Sequence, residues 1–158
     1  NIKNRVYGIK DKNFPSFSTI SSSGTVAQCK TAPTCPGGSD LGWYVDLPNK
    51  QKLTAEPTIY KDRVYYPIYQ PTSGGTGCNT GTALLTAYNS KCGNSVLNVN
   101  VGTGVLSKVV VQKDNLYIGI AGEAKENIAG FTSKDNLITG KSKAKGGGAI
   151  SIEGWKQN

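Results

Sequence analysis

The sequence predicts an all-β fold of four-stranded antiparallel sheets, arranged as a partial β-propeller of about two blades plus flanking strands. A hairpin pattern occurs twice, at 58–69 and 110–120, and each copy places a Lys-Asp pair between two runs with alternating apolar residues. Asp62 and Asp114 lie 52 residues apart, a period typical of propeller blades. The composition of 20 Gly, 7 Pro and 18% charged residues favours short strands and turns over helices.

The 158 residues suit a single all-β domain, 1–158. Alternating apolar residues and turn signals predict nine strands, at 4–10, 41–47, 53–60, 63–70, 82–89, 96–101, 105–111, 115–121 and 149–153, with a further strand-like segment at 127–131. The predicted divisions are the end of a preceding blade (1–12), a Ser/Pro/Gly-rich insertion (13–40), a blade (41–93), a second blade (94–139), and a basic glycine-rich loop with a closing strand (140–158).

Two blades and a fraction cannot close a ring, because each blade buries its faces against neighbouring blades. Three explanations remain open at this point. The chain is a piece of a longer protein, other chains supply the missing neighbours, or the sheets pack in a smaller arrangement that is not a propeller.

The four cysteines are best explained by disulfide bonds. No Cys-x-x-Cys pair is present and the chain has no histidine, which disfavours zinc and redox sites. Two disulfides would place the protein in an extracytoplasmic, oxidising compartment. Of the three pairings that four cysteines allow, Cys29–Cys35 and Cys78–Cys92 are favoured, because each pair brackets a loop rich in Pro, Gly, Thr or Asn.

The formal charge of +8 is spread along the chain, with one cluster at Lys141, Lys143 and Lys145. A protein that reads nucleic acid would usually concentrate its charge beside aromatic residues, so we expect no specific nucleic-acid partner. Weak attraction to DNA, lipid headgroups or acidic glycans stays open. No run of 18 apolar residues occurs, so we expect no membrane span.

The sequence predicts that the protein is not an enzyme, because the chain lacks histidine, a Gly-x-Ser-x-Gly elbow and a phosphate-binding loop. No catalytic, cofactor-binding or metal-binding residues are predicted. Ligand contacts are expected in the loops 29–35, 70–82 and 140–148. The tyrosines are expected mainly in the core, although strict alternation would turn one of Tyr65 and Tyr66 outward.

Several segments resemble the C-terminal propeller of the PilY family, the tip-associated adhesins and biogenesis factors of bacterial type IV pili. The segments are Gly42-Trp-Tyr-Val-Asp-Leu-Pro48, Leu53-Thr-Ala-Glu-Pro57, Arg63-Val-Tyr-Tyr66, Arg5-Val-Tyr-Gly-Ile-Lys-Asp11, Gly102-Thr-Gly-Val-Leu-Ser107 (which resembles a turn of the family) and the terminal Ile150–Lys156. The family's Asp-x-Asp-x-Asp-Gly calcium loop has no counterpart here, so no metal site is carried over.

The resemblance implies a non-catalytic extracellular module at the bacterial cell surface, acting in adhesion and pilus assembly. Its expected partners are minor pilins or other subunits of a pilus or filament, together with host or surface glycan and protein ligands. One alternative is a structural subunit that assembles into a filament or ring through exposed sheet edges. A second alternative is a fragment of a quinoprotein-like propeller enzyme.

Overall fold

The computed structural model describes residues 4–9, 26–28 (backbone only), 42–48, 50–72 and 80–143. These residues form strands and turns, which confirms the all-β, mainly antiparallel prediction. The strands in the described residues are β1 (Asn4–Ile9), β2 (Val26–Gln28), β3 (Gly42–Leu47), β4 (Lys52–Leu53), β5 (Thr58–Tyr60), β6 (Arg63–Gln70), β7 (Thr82–Asn89), β8 (Ser95–Leu106), β9 (Val110–Gln112), β10 (Asn115–Ala124), β11 (Phe131–Lys134) and β12 (Leu137–Lys141).

Three sheets can be distinguished. The N-terminal sheet has the order β1-β3-β2, in which β2 is parallel to β3. The central sheet contains β4 and β5 on one side of β6, followed by β7, β8 and residues 120–124 of β10. The C-terminal sheet has the order β9-β10-β12-β11 and uses residues 115–119 of β10. Because β10 belongs to both, the central and C-terminal sheets form one continuous hydrogen-bonded array.

The central sheet is covered on both faces. Val64, Tyr66 and Ile68 of β6 pack in one cluster with Val6 and Trp43 of the N-terminal sheet. Successive strand residues point to opposite faces, so the other face of β6 and β7 contacts a different layer. That face contributes Tyr65, Ala83, Leu85 and Ala87 to a second cluster with Leu116, Ile118 and Ile138 of the C-terminal sheet. The residues that the structure describes therefore form a stack of three sheets with two apolar interfaces.

The double coverage corrects one expectation about the tyrosines. Alternation predicts that one of Tyr65 and Tyr66 faces outward, yet both are buried, at 0% and 4% exposure. They do point to opposite faces, as alternation requires, but each face has its own covering layer.

Both Lys-Asp corners are two-residue turns between antiparallel strands, which confirms the predicted hairpins. Tyr60 pairs with Arg63 across the first turn, and Gln112 pairs with Asn115 across the second. Lys61, Lys113 and Asp114 have φ values of 54°, 46° and 65°. Such left-handed residues match the twist of a tight hairpin, and Asp tolerates this conformation better than most side chains.

Other strand predictions need correction. The predicted strand 53–60 divides into β4 and β5, since Pro57 has no N–H to donate to a ladder. The predicted strand 105–111 is interrupted at 107–109, and its first residues belong to β8. Residues 127–130 form a turn with one bridge from Ile128 to Phe131 rather than a strand, and the hairpin β11–β12 was not predicted. The predicted closing strand 149–153 lies outside the described residues.

The proposed blade boundaries also differ from the observed sheets. β3 joins β1 in the N-terminal sheet instead of forming a four-stranded sheet with the strands of 53–89. The boundary placed between 93 and 94 is not a sheet boundary, because β7 and β8 pair directly across it. In the described residues the central sheet combines β4 to β8 with part of β10, and the C-terminal sheet combines β9-β10-β12-β11, over 110–141.

The segment 102–107, expected as a turn from the resemblance, lies within β8 up to Leu106. Gly104 has a φ of 103°, and a Cβ there would come within 2.2 Å of the Ala121 carbonyl oxygen. The glycine therefore permits β8 and β10 to approach closely where the central sheet continues into β10.

Candidate interaction surfaces

The two Lys-Asp corners contact each other. Lys61 Nζ lies 2.7 Å from Asp114 Oδ1, and the Tyr60 hydroxyl donates to the same oxygen at 2.8 Å. The lysine and, to a smaller extent, the hydroxyl lower the pKa of Asp114. The hydrogen bond to Asp114 raises the pKa of Lys61. The corner of the first hairpin is thus tied to the corresponding corner of the second.

Further polar contacts join the same two segments at nearly the same sequence separation. Donor and acceptor are 51 to 54 residues apart in every one, close to the spacing of the two hairpins. Equivalent parts of consecutive repeats therefore lie side by side, as they do when repeated sheets stack. Beyond the corner itself, the contacts are Thr54 Oγ1 to Leu106 O (3.0 Å), Thr58 Oγ1 to Val109 O (2.6 Å) and Lys108 Nζ to Glu56 Oε2 (2.8 Å).

The outer face of the N-terminal sheet is a polar and aromatic surface, formed by Arg5, Tyr7, Ile9, Tyr44 and Asp46. Tyr7 and Ile9 are 51% and 56% exposed, although alternate residues of the same strands are buried. The Tyr7 and Tyr44 rings are 5.9 Å apart, and the Arg5 guanidinium lies 4.8 Å from the Tyr44 ring centre. Arg5 Nε donates to Asp46 Oδ1 at 2.7 Å, and this bond raises the pKa of Arg5. Mutual contacts hold these side chains in place.

The outer face of the C-terminal sheet carries an open groove of about 490 Å³, here called the C-terminal groove. Tyr117 and Thr139 are paired across β10 and β12, on the side opposite the buried Leu116, Ile118 and Ile138. The groove is lined by Asn115, Tyr117, Gly130, Phe131, Thr132, Thr139, Gly140 and Lys141.

The buried tyrosines Tyr66 and Tyr88 belong to the core and line neither surface. Their rings are 5.6 Å apart in an edge-on arrangement. Burial raises the pKa of Tyr66 to about 12 and also raises that of Tyr88, so both phenols are neutral at physiological pH.

In the part of the chain that the structure describes, no three His, Cys, Asp or Glu residues lie close enough to hold a metal ion. The same residues contain no helix with the length and apolar character needed to span a membrane.

Most predicted site residues lie outside the described ranges. Cys29, Cys35 and Cys78 are among them, while Cys92 lies in the turn after β7. The favoured pairings Cys29–Cys35 and Cys78–Cys92 therefore stay predictions. The expected binding loop 29–35 is outside the described residues, and the loops 70–82 and 140–148 are described only at 70–72, 80–82 and 140–143.

Sequence reasoning missed both outer faces as surfaces. The signal in the N-terminal sheet was the alternation of Val6 with Arg5 and Tyr7, which separates one buried face from one exposed face. The C-terminal groove had no comparable signal, because it depends on the hairpin β11–β12, which was not predicted.

Comparison with protein-family models, with curated proteins and with solved structures gave no match.

Proposed function

We propose that this chain is a non-catalytic, extracellular module of a type IV pilus-associated, PilY-like protein that acts in adhesion and pilus assembly. In this proposal its sheets are blades of a partial propeller. The observation that carries the proposal is the exposed, preorganised outer face of the N-terminal sheet at one end of a stack of sheets. The family assignment itself is based on the sequence resemblance.

The stacking of equivalent hairpins supports the propeller part of the proposal. Blades of a propeller pack face to face and place corresponding strands next to each other. The contacts from Lys61 and Tyr60 to Asp114 join corresponding corners in this way. The direct pairing of β8 with β10 means that these blades would share a continuous ladder, which departs from separate four-stranded sheets.

The outer face of the N-terminal sheet supports the docking part of the proposal. The two apolar clusters cover both faces of the central sheet and the inner faces of the N-terminal and C-terminal sheets, whereas the outer face of the N-terminal sheet contributes to neither cluster. Tyrosine and arginine are enriched at protein interfaces, because they supply large contact areas together with hydrogen-bonding groups. The face supplies both kinds of group through Tyr7, Tyr44 and Arg5. We therefore assign it as the surface that binds a minor pilin at the pilus tip.

The test is binding of the purified chain to purified minor pilins by biolayer interferometry. We expect binding by the unaltered chain and loss of binding by the double variant Tyr7→Ser/Tyr44→Ser. The control is Ile59→Ser, which removes an apolar side chain that is 71% exposed on the central sheet. Circular dichroism confirms that all variants are folded. Equal binding by the double variant and the control, or no binding by the unaltered chain, would contradict the proposal.

The edge of the C-terminal sheet at β11 gives little support to assembly through sheet edges. Among the described strands, β11 is an outer strand of the C-terminal sheet, but it has four residues and ends at Lys134. Short edges that carry lysine resist pairing with other chains. A filament or ring would show a mass that rises with concentration in light scattering, whereas our proposal expects a constant mass.

The quinoprotein alternative requires tight uptake of a quinone cofactor with dehydrogenase activity, and we expect neither.

A further inference from the structure

The C-terminal groove combines an aromatic ring with several polar groups on one open surface. Tyr117 of β10 lines the groove together with Asn115 of the same strand and its cross-strand partner Thr139 on β12. The hydroxyls of Thr132 and Thr139 are 2.7 Å apart and bond to each other across β11 and β12. Because strands rather than loops carry these side chains, their spacing is fixed by the register of the sheet.

Packing of Phe131 on Gly140 holds β11 beside the groove. A Cβ at Gly140 would lie 2.3 Å from the Phe131 ring, so only glycine lets the ring lie across β12 at this point. Phe131 also packs against the core, which anchors β11 at one side of the groove. The floor of the groove is therefore part of the folded sheet.

The charge at the groove is positive. Among the described residues that line it, Lys141 is the charged one, and none carries a carboxylate. Lys143 lies nearby, with its Nζ 4.0 Å from the position that a Cβ of Gly130 would occupy. Lys141 is close enough to Asp114 to lower the pKa of that carboxyl, but Asp114 already accepts hydrogen bonds from Lys61 and Tyr60. An anionic group entering the groove would meet the ammonium of Lys141, with no carboxylate among the residues that line the groove.

We propose that the C-terminal groove binds an acidic sugar, a pyranose that carries a carboxylate within an oligosaccharide. The apolar face of the pyranose packs on the Tyr117 ring, and its hydroxyls bond to Asn115 and Thr139. The carboxylate accepts a charge-assisted hydrogen bond from Lys141 Nζ. A flat aromatic surface with amide and hydroxyl groups beside it suits a ring with many hydroxyls, whereas a simple phosphate would leave the Tyr117 ring without a stacking partner.

This inference rests on the proposed adhesive function, for which it names a class of ligand. It concerns a different surface from the outer face of the N-terminal sheet. The two proposals can therefore fail independently of each other.

The experiment is titration of the full chain with tetragalacturonate, followed by NMR chemical-shift changes and isothermal calorimetry. The fully methyl-esterified tetramer is the matched ligand control, because it keeps the rings and removes the charge. Lys141→Gln and Tyr117→Ala alter the groove. Lys52→Gln is the matched protein control, since it removes the same charge from an exposed position on β4 of the central sheet.

We expect shifts concentrated at the groove and about tenfold weaker binding for each groove variant, as the loss of one charge-assisted bond or one stacking contact implies. The methyl ester should bind about tenfold more weakly for the same reason. Lys52→Gln should leave the affinity unchanged. Thermal melting of each variant shows whether it is folded, and Lys141→Gln alters an exposed side chain, so it tests the groove even if Tyr117→Ala unfolds.

Three results would overturn the proposal: no binding of tetragalacturonate, equal affinity for the methyl ester, or equal weakening by Lys141→Gln and Lys52→Gln. The last result would show a general attraction of polyanions to a chain of net charge +8. Loss of sugar binding with minor-pilin binding intact refutes the groove proposal alone. Sugar binding at the groove without any pilin binding refutes the pilus assignment alone.

Discussion

Removing buried side chains from either face of the central sheet should destabilise the protein by a similar, large amount. Leu85 and Ile68 are both 0% exposed, and they lie in the two different apolar clusters. Truncation to alanine loses about 2 kcal/mol of transfer free energy, at about 0.8 kcal/mol per buried methylene. The cavity left behind increases the cost to about 3–5 kcal/mol. Each variant should therefore lose a large fraction of a total stability of about 5–15 kcal/mol.

The assay is equilibrium unfolding in urea, followed by circular dichroism and by tryptophan fluorescence, to which Trp43, buried in the cluster with Ile68, contributes. With a urea dependence of about 2 kcal/mol per molar, the unfolding midpoint should fall by about 1.5 M or more. Ile59→Ala is the control, because Ile59 is 71% exposed in β5, and its midpoint should change by about 0.2 M at most. If Ile68→Ala or Leu85→Ala behaves like the control, that face of the sheet is not covered as described.

Three further predictions concern a turn, a tyrosine and the cysteines. Gly93→Ala should lower the melting temperature more than Gly130→Ala. Both glycines have positive φ values (72° and 79°), but a Cβ at Gly93 would also lie 2.4 Å from the Trp43 ring. Equal decreases in melting temperature would contradict the clash. Absorbance at 295 nm should show Tyr66 ionising near pH 12. Because burial raises the pKa of Tyr66, the folded state favours the neutral phenol. The contribution of Tyr66 to the free energy of unfolding should therefore be intact below pH 10 and be lost between about pH 10 and 12. Ionisation of Tyr66 together with the exposed tyrosines would contradict this prediction. The proposed disulfides predict no reaction of the denatured, unreduced chain with a thiol reagent, and four reactive thiols after reduction; reaction before reduction would refute them.

The bounds of a strand were predicted well where its apolar residues alternate and clear turn signals flank it. β6 and β7 have the predicted bounds, and β1 and β3 agree within a residue. The corners at Lys61 and Lys113 were found because each separates two β-branched or aromatic runs. These features are local, so a single chain segment contains the information that determines them.

The errors concern long-range pairing. β3 pairs with β1 across the 13–40 segment, and nothing in the residues near Trp43 specifies that partner rather than the following strands. The run Val105–Val111 looks like one strand, but Ser107 N–H donates to Gly119 O in the bend between two sheets. Period alone therefore could not locate the sheet boundaries, or the groove that depends on them.

The central claim is that equivalent hairpins of the two repeats stack on each other, and interproton NOEs in an NMR spectrum test it most directly. We expect NOEs from Thr54 to Leu106 and from Thr58 to Val109, since hydrogen bonds of 3.0 Å and 2.6 Å join these residues. NOEs within each hairpin, from Tyr60 to Arg63 and from Gln112 to Asn115, serve as the internal control. A spectrum with the hairpin NOEs but none between 54–60 and 106–114 would contradict the stacking.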